Sequence, residues 1–462
     1  MKMAIESGEI HVVMFPWFGF GHISPFVQLS NKLTLQGVKV SFFSVPGNIS
    51  RIRSTLKLTP TAEIIPLQIP HIEGLPPGID STSEMTPSMA ELLKQAMDLM
   101  QPQIKTILSE LNPHFVIYDF AQPWMPKLAS PLGIKTLFFS VFSAVSDAYI
   151  MVPVRKNDHT IEDLLKPPNG FPVSSTISLK EFEARDFLYV FMRFNDSPSG
   201  YERVIEGRNG CTAIIFKTCM EMESPYIDYN RSQFQKPVLL TGPLIPKPLS
   251  GDLEDRWAKW LGQFPAKSVI YCAFGSETYL NSHQIKELAL GLELSGLPFF
   301  LVLNFPANLD AQNELANALP EGFSERVRNR GVVHTGWVQQ RLIFGHDSVG
   351  CFLSHSGLSS VIEAMIDDCQ LVLLPLKGDQ FLNSKLVAND MKAGVQVKRR
   401  EDDGHFRKED ILKAINAVMV EVNKEPGISI RANQKKWRDF LLNDEIQNKY
   451  IAEFVKELKT LA

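Results

Sequence analysis

Residues 242–254 read GPLIPKPLSGDLE, a stretch dense in proline and glycine. Such a segment reads as an interdomain linker, and the chain on its two sides reads alike. Before it, short runs rich in Val, Ile and Phe at 11–15, 38–45, 63–69, 114–119, 135–140 and 210–218 look like buried parallel strands. Amphipathic stretches lie between them at 24–36 and 88–111, and 186–208 is less regular. After the linker the alternation restarts. Strand-like runs fall at 268–274, 299–304, 331–335, 350–354, 371–375 and 394–398, with helical segments at 282–295, 359–366 and 408–422. This pattern predicts an α/β protein of two Rossmann-like domains, residues 1–241 and the part beyond 254, each a parallel sheet covered on both faces. Ligands of such sheets sit at the carboxyl ends of the strands. Two facing domains would therefore share an interdomain cleft, and the chemistry belongs there.

Composition narrows the class. The chain has 462 residues, 44% hydrophobic and 21% charged, the profile of a globular protein. Its 47 basic and 51 acidic side chains leave a net charge of −4, so no global basic field points to nucleic acid. The first nine residues carry Glu6 and Glu9 and lack the basic-then-apolar order of a secretory leader. The longest apolar stretch, 137–154, is broken by Ser140, Ser143, Ser146, Asp147 and Pro153, which argues against a membrane span. Cys211, Cys219, Cys272, Cys351 and Cys369 are an odd, scattered set without Cys-x-x-Cys spacing, read as free thiols of a reducing compartment. A cytoplasmic protein is expected.

The first strand runs into PWFGFGHISP, residues 16–25. Gly19-Phe20-Gly21 resembles the start of a dinucleotide fingerprint, but Ser24 and Pro25 stand where the third glycine would follow. His22, in a glycine-flanked turn, lies at the mouth of the expected cleft. The fourth strand delivers Asp119 to the same edge. A carboxylate bonded to one imidazole nitrogen fixes the tautomer and raises the basicity of the other, as a base that abstracts a hydroxyl proton needs. The plainer alternative is that Asp119 caps the next turn. Phe18, Phe20, Phe120 and Phe142 lie near strand ends and could sandwich a flat molecule, or fill the core.

The second half carries a denser signal. Residues 354–360, SHSGLSS, form a strand-to-helix turn whose small residues leave helix amides open, an anion site to which His355 and Ser360 add donors for a diphosphate. Glu363, one turn into the helix, could accept both hydroxyls of a ribose. Trp337 offers a flat face for a base. Each has a structural alternative: Trp337 as core filler, Glu363 as a solvated helix residue, Ser359 and Ser360 as an N-cap. The order of all of them together favours the functional reading.

From Trp337 to Gln380 this segment resembles the signature box of plant family 1 UDP-glycosyltransferases, W…Q…H-x-G…S…E…P…[DE]-Q, without a gap. GHISPF around His22, YDFAQPW around Asp119 and FGSE at 274–277 extend the likeness along the whole chain. The resemblance implies a GT-B type fold, with a UDP-sugar domain at 255–440 and a C-terminal helix at 441–462 returning to the first domain. It implies that His22 is the base and Asp119 its orienting partner. It places Trp337 on uracil with Gln340 and the Val338 backbone near its edge, and Glu363 on the ribose. His355, Ser276, Ser360 and the Gly357–Ser359 turn would meet the diphosphate, and Asp379 and Gln380 the donor sugar. No metal and no cofactor are implied, the UDP-sugar being a co-substrate, and no Asp-x-Asp occurs in the sequence. FEARDFL at 182–188 is similar to the branch that extends the sugar of an existing glycoside, implying a flavonoid or anthocyanidin 3-O-glucoside acceptor and a monomeric enzyme.

Two departures bear on the donor. Ser356 replaces the usual Cys, and Leu358-Ser359 replaces the usual Trp-Asn. Losing the Trp puts glucose in doubt, and a Leu358 wall would suit a 6-deoxy sugar, whereas Gln380 is typical of glucose users. Rhamnose is favoured, with glucose and xylose as alternative donors and another specialised-metabolite glycoside as an alternative acceptor. Two other classes remain open. A nicotinamide-dependent oxidoreductase would need an acidic residue ending the second strand, which instead ends Ser44-Val45-Pro46. A non-catalytic nucleotide-sugar binder would have no use for the His22–Asp119 pair.

Overall fold

The computed structural model describes residues 9–57, 61–76, 78, 85–156, 159–246, 251–275, 278–306 and 308–462. The first half folds around seven parallel strands: β1 (His11–Phe15), β2 (Lys39–Ser44), β3 (Ala62–Pro66), β4 (Phe115–Tyr118), β5 (Lys135–Ser140), β6 (Ala213–Phe216) and β7 (Val238–Leu240). They lie in the order β3-β2-β1-β4-β5-β6-β7. The second half has six: β8 (Val269–Ala273), β9 (Phe299–Leu303), β10 (Gly331–Thr335), β11 (Val349–Ser354), β12 (Gln370–Leu373) and β13 (Val395–Gln396), in the order β10-β9-β8-β11-β12-β13. The chain is thus an α/β protein of two Rossmann-like units. The all-apolar runs are buried end to end, as expected of sheets covered on both faces.

Strand order fixes the sites. In each sheet the order reverses once, between β1 and β4 and between β8 and β11, and a crevice opens at such a point. Phe15 pairs with Tyr118, so the chain leaves the first sheet side by side at Pro16 and Asp119. Ser354 pairs with Ala273, so His355 and the Gly275 turn leave the second sheet together.

Several boundaries differ from the sequence reading. The helix expected from residue 24 begins at Phe20, with Gly19 as its N-cap, so His22 sits in a first helical turn rather than in a loop. The amides of His22 and Ile23 both donate to the Gly19 carbonyl at 2.9 Å. The amphipathic stretch 88–111 is two helices, Pro87–Leu99 and Gln101–Leu111, meeting at Met100 with a proline in the first turn of the second. β7 had no sequence counterpart.

The last helix, Asp444–Leu461, lays Ile451, Phe454, Val455 and Leu458 into the apolar cluster that holds Val12 and Leu29 of the first half. A second clasp joins the halves at the helix Asp379–Lys385. Lys385 Nζ pairs with Glu183 at 2.5 Å, the Gly378 amide donates to Asp186 at 2.6 Å, and Ser143 Oγ donates to Asn383 Oδ1 at 2.6 Å. Tyr226 adds a 2.6 Å hydrogen bond to Asp390. Among the described residues no helix is long and apolar enough to cross a membrane.

Candidate active site

His22 and Asp119 meet where β1 and β4 diverge. His22 Nδ1 lies 2.7 Å from Asp119 Oδ2, which also accepts from the Trp17 amide at 3.2 Å, while Oδ1 accepts from the Phe120 amide at 2.7 Å. The carboxylate is 1% exposed and locked by these donors, so it fixes the orientation of the ring. With Nδ1 donating to Asp119, Nε2 is left with its lone pair.

Two aromatic rings join this pair to a partly open cavity. Phe120 and Phe142 each lie with ring centroids 5.4 Å from His22, and both line the cavity. Tyr189, Met192 and Val204 add apolar wall; Glu91 and Lys94 are its charged lining. Those two pair at 2.6 Å, and burial pulls the Lys94 ammonium down while Glu91 opposes it. The other two aromatic candidates are elsewhere. Phe18 is fully buried 6.2 Å from Phe15, a core residue. Phe20 packs on the opposite cluster with the Arg51 guanidinium 3.4 Å over its ring. An apolar residue near a strand end looks the same in sequence whether it faces core or cleft.

On the second sheet, His355 is wedged between two glycines. A Cβ on Gly357 would stand 2.6 Å from its Nε2 and one on Gly275 3.0 Å, so both approaches require glycine. Loss of water around the imidazole, then the Lys377 charge, pushes it down to about 4 despite a backbone hydrogen bond at Ala273, so it is neutral at pH 7. Gly357 is the N-cap of the helix Leu358–Ile366, and no side chain caps that first turn. Ser356 before it is buried with φ +70°.

Gln340 gathers the next group: its amide donates to Ser360 Oγ and to Glu363 Oε2, both at 3.2 Å. Burial raises the Glu363 carboxyl, opposed by Arg341, Gln340 and Lys217. Trp337 is 71% exposed, which removes the core-filler alternative and leaves its face open. Val338 is buried, its carbonyl accepting from the Gln340 amide at 2.8 Å. Asp379 Oδ2 accepts from Asn383 at 2.8 Å. Burial raises its carboxyl, while Asn383, Lys217, His22 and Lys377 pull it back, so the His22 ring of one half acts on a carboxylate of the other.

Two expectations change here. Gln380 does not offer its amide to the cleft: Oε1 accepts from the Leu376 and Lys377 amides, and Nε2 donates to Thr278 Oγ1. Leu358, 5% exposed, packs into the apolar cluster and forms no open wall. Ser276 lies outside the described residues. Sequence reasoning missed Lys217, which follows β6 and reaches Ser359 Oγ at 2.9 Å from the other half, and the Glu91–Lys94 pair. The charges at 91 and 94 have the spacing of a solvated helix face. The signal for Lys217 was its place at a strand's carboxyl end. Among the described residues no group of three His, Cys, Asp or Glu could hold a metal ion.

The family model for UDP-glucoronosyl and UDP-glucosyl transferase matches residues 252–428. Along the full length, the chain is 59% identical over 465 residues to a Petunia hybrida protein named anthocyanidin-3-O-glucoside rhamnosyltransferase, covering 100% of this chain and 98% of that one. The chain belongs to the UDP-glycosyltransferase family. A Glycine max member, UDP-glycosyltransferase 79A6, is 58% identical over 100% of this chain and 99% of its own. Among solved structures, that of Glycyrrhiza uralensis UGT73P12 complexed with glycyrrhetinic acid 3-O-monoglucuronide superposes with a TM-score of 0.79 at 22% identity, covering 98% and 96% of the two chains. That likeness shows the GT-B fold for this UDP-glycosyltransferase. Membership also disposes of the oxidoreductase and of the non-catalytic binder.

Proposed function

We propose that this UDP-glycosyltransferase transfers a sugar, rhamnose by preference, from a UDP-sugar to a sugar hydroxyl of a flavonoid or anthocyanidin 3-O-glucoside, inverting the anomeric carbon. The observation that carries the reading is the His22–Asp119 pair at 2.7 Å, sharing Phe120 and Phe142 with the cavity on one side and acting on Asp379 on the other. The acceptor glycoside lies in the cavity, its flat aglycone against the aromatic walls. Glu91 and Lys94 supply an acceptor and donors for the hydroxyls of its first sugar. His22 Nε2 takes the proton of the attacking hydroxyl as its oxygen bonds the anomeric carbon. The bond from that carbon to the diphosphate breaks on the opposite face, and UDP leaves with the electron pair. Asp119 stabilises the imidazolium, which then returns its proton to water.

The nucleotide lies on Trp337, its ribose on Glu363, and its phosphates on the open turn of Leu358–Ile366 beside His355. The Petunia relative's name favours rhamnose and a glucoside acceptor. The side chains of Leu358 and Gln380, both turned into the protein, lend no support to either sugar. The enzyme acts in the cytoplasm, in line with its five free, buried cysteines, and as a monomer. In the test, His22→Ala should lose transfer by about 10²- to 10⁴-fold with UDP affinity unchanged. Near wild-type turnover in that variant would remove the base. A panel of UDP-rhamnose, UDP-glucose and UDP-xylose against one flavonoid 3-O-glucoside, read by product mass and linkage, decides the donor.

A further inference from the structure

Lys217 is a buried cation whose partners leave it short. It follows β6, in the first half, and is 7% exposed. Other deeply buried cations of this chain are matched. Arg203 pairs with Asp98, Arg208 with Asp147 and Lys385 with Glu183, each at 2.5 Å. Arg155 spends its guanidinium on the carbonyls of Tyr149, Asp163 and Lys166. An ammonium has three hydrogens to donate. Among the described residues Lys217 has one acceptor, Ser359 Oγ at 2.9 Å, and takes part in no ion pair within 4.0 Å.

The place it reaches makes this stranger. Ser359 is the second residue of the helix Leu358–Ile366, whose first turn lacks a side-chain cap. A helix begins with the positive end of its dipole. A buried positive charge therefore rests against a positive helix terminus, an arrangement that repels unless an anion enters between them. Burial works against the charge of Lys217, and the carboxyls of Asp379, Glu363 and Glu223 favour it only from beyond ion-pair distance. His355, neutral on the same turn, can give the anion a hydrogen bond but no charge.

We propose that Lys217 is a phosphate ligand of the UDP-sugar, contributed by the opposite half of the molecule: its ammonium contacts the diphosphate at the Leu358–Ile366 terminus and balances the charge that collects on UDP as it leaves. The proposal rests on the UDP-sugar reading and adds to it a cation from the acceptor side. Binding of the nucleotide then draws the two halves together, because one ligand is touched by both. The charge gained matters most in the transition state, where the bond to the sugar is breaking and the diphosphate is most negative. Burial also brings the Lys217 ammonium down to about 8, so a site without an anion begins to lose this charge just above neutral pH.

The experiment is calorimetric titration of the full chain with UDP and with uridine, for wild type, Lys217→Met and Lys217→Arg. Lys217→Met should weaken UDP by roughly 10- to 150-fold, the range for a charged hydrogen bond, and leave uridine unchanged. Lys217→Arg should recover most of the loss. An equal fall for UDP and uridine would make Lys217 a structural strut and overturn the proposal, as would an unaltered UDP affinity. Should Lys217→Met not fold, wild type alone still decides. As pH rises through 8 the free protein loses the Lys217 proton and the nucleotide-bound protein keeps it, so UDP affinity should fall while uridine affinity stays level. Level UDP affinity across that range would also overturn it. Wild type that fails to bind UDP at all would instead remove the underlying donor-site reading.

Discussion

Replacing Asp119 by asparagine should damage turnover more than deleting its side chain. Asp119 faces three donors: the Phe120 amide at 2.7 Å on Oδ1, with the Trp17 amide at 3.2 Å and His22 Nδ1 at 2.7 Å on Oδ2. Asparagine must turn its NH₂ toward one side. Facing Phe120, it meets a backbone N–H across the shortest gap. Facing Trp17, it opposes an N–H at the longer distance and gains an acceptor if His22 gives up its Nδ1 proton. The second orientation costs less, and it moves the ring proton to Nε2, the atom proposed to accept. A histidine locked in the wrong tautomer costs on the order of 10⁴-fold in turnover where the same exchange is known in a serine protease. Alanine merely removes a charged hydrogen bond of about 1.5–3 kcal/mol, roughly 10- to 150-fold. We therefore expect kcat to fall in the order wild type, Asp119→Ala, Asp119→Asn, measured as initial rates at saturating donor and acceptor. UDP affinity should be common to all three, and thermal melting should show each folded. An asparagine variant as active as alanine or better would refute the tautomer argument.

Trp337→Ala should leave the melting temperature within error, because a side chain 71% exposed holds little of the core together. UDP affinity should nevertheless drop by about 5- to 150-fold if a base stacks there, at roughly 1–3 kcal/mol per stacked base; titration with UDP reads it. Lys94→Met should raise KM for a flavonoid 3-O-glucoside by about tenfold while the KM for UDP-sugar holds, as expected of one charged hydrogen bond to an acceptor hydroxyl. Equal KM values for the glucoside in wild type and variant would remove Lys94 from the acceptor site.

Much of the architecture could be read from residues alone because parallel strands buried on both faces are uniformly apolar, and turn residues bracket them. β1 and β11 are of this kind, and the motifs at their ends follow at once. β7 escaped because Val238–Leu240 is only three residues long, too short an apolar run to stand out, with its two end residues half-buried at a sheet edge. The stretch 88–111 hid a break because its apolar spacing continues through Met100, and a proline early in the second helix disrupts no hydrogen bond. Strand order is a property of the whole sheet, so the juxtaposition of β1 with β4 could be guessed only from what their ends carry. The same limit concealed Lys217. Its neighbours Ile215, Phe216 and Thr218 look like any strand end, and the group it meets lies 142 residues away.

The grip of Glu183, Asp186 and Ser143 on the helix Asp379–Lys385 has a practical outcome for anyone building hybrids of such enzymes. Exchanging the C-terminal half for that of a relative imports this helix while its moorings stay behind. Altered sugar preference in a chimera of this sort would then report a misaligned Asp379 as readily as a new pocket. Transplanting residues 180–190 and Ser143 along with the graft would keep buckle and strap matched.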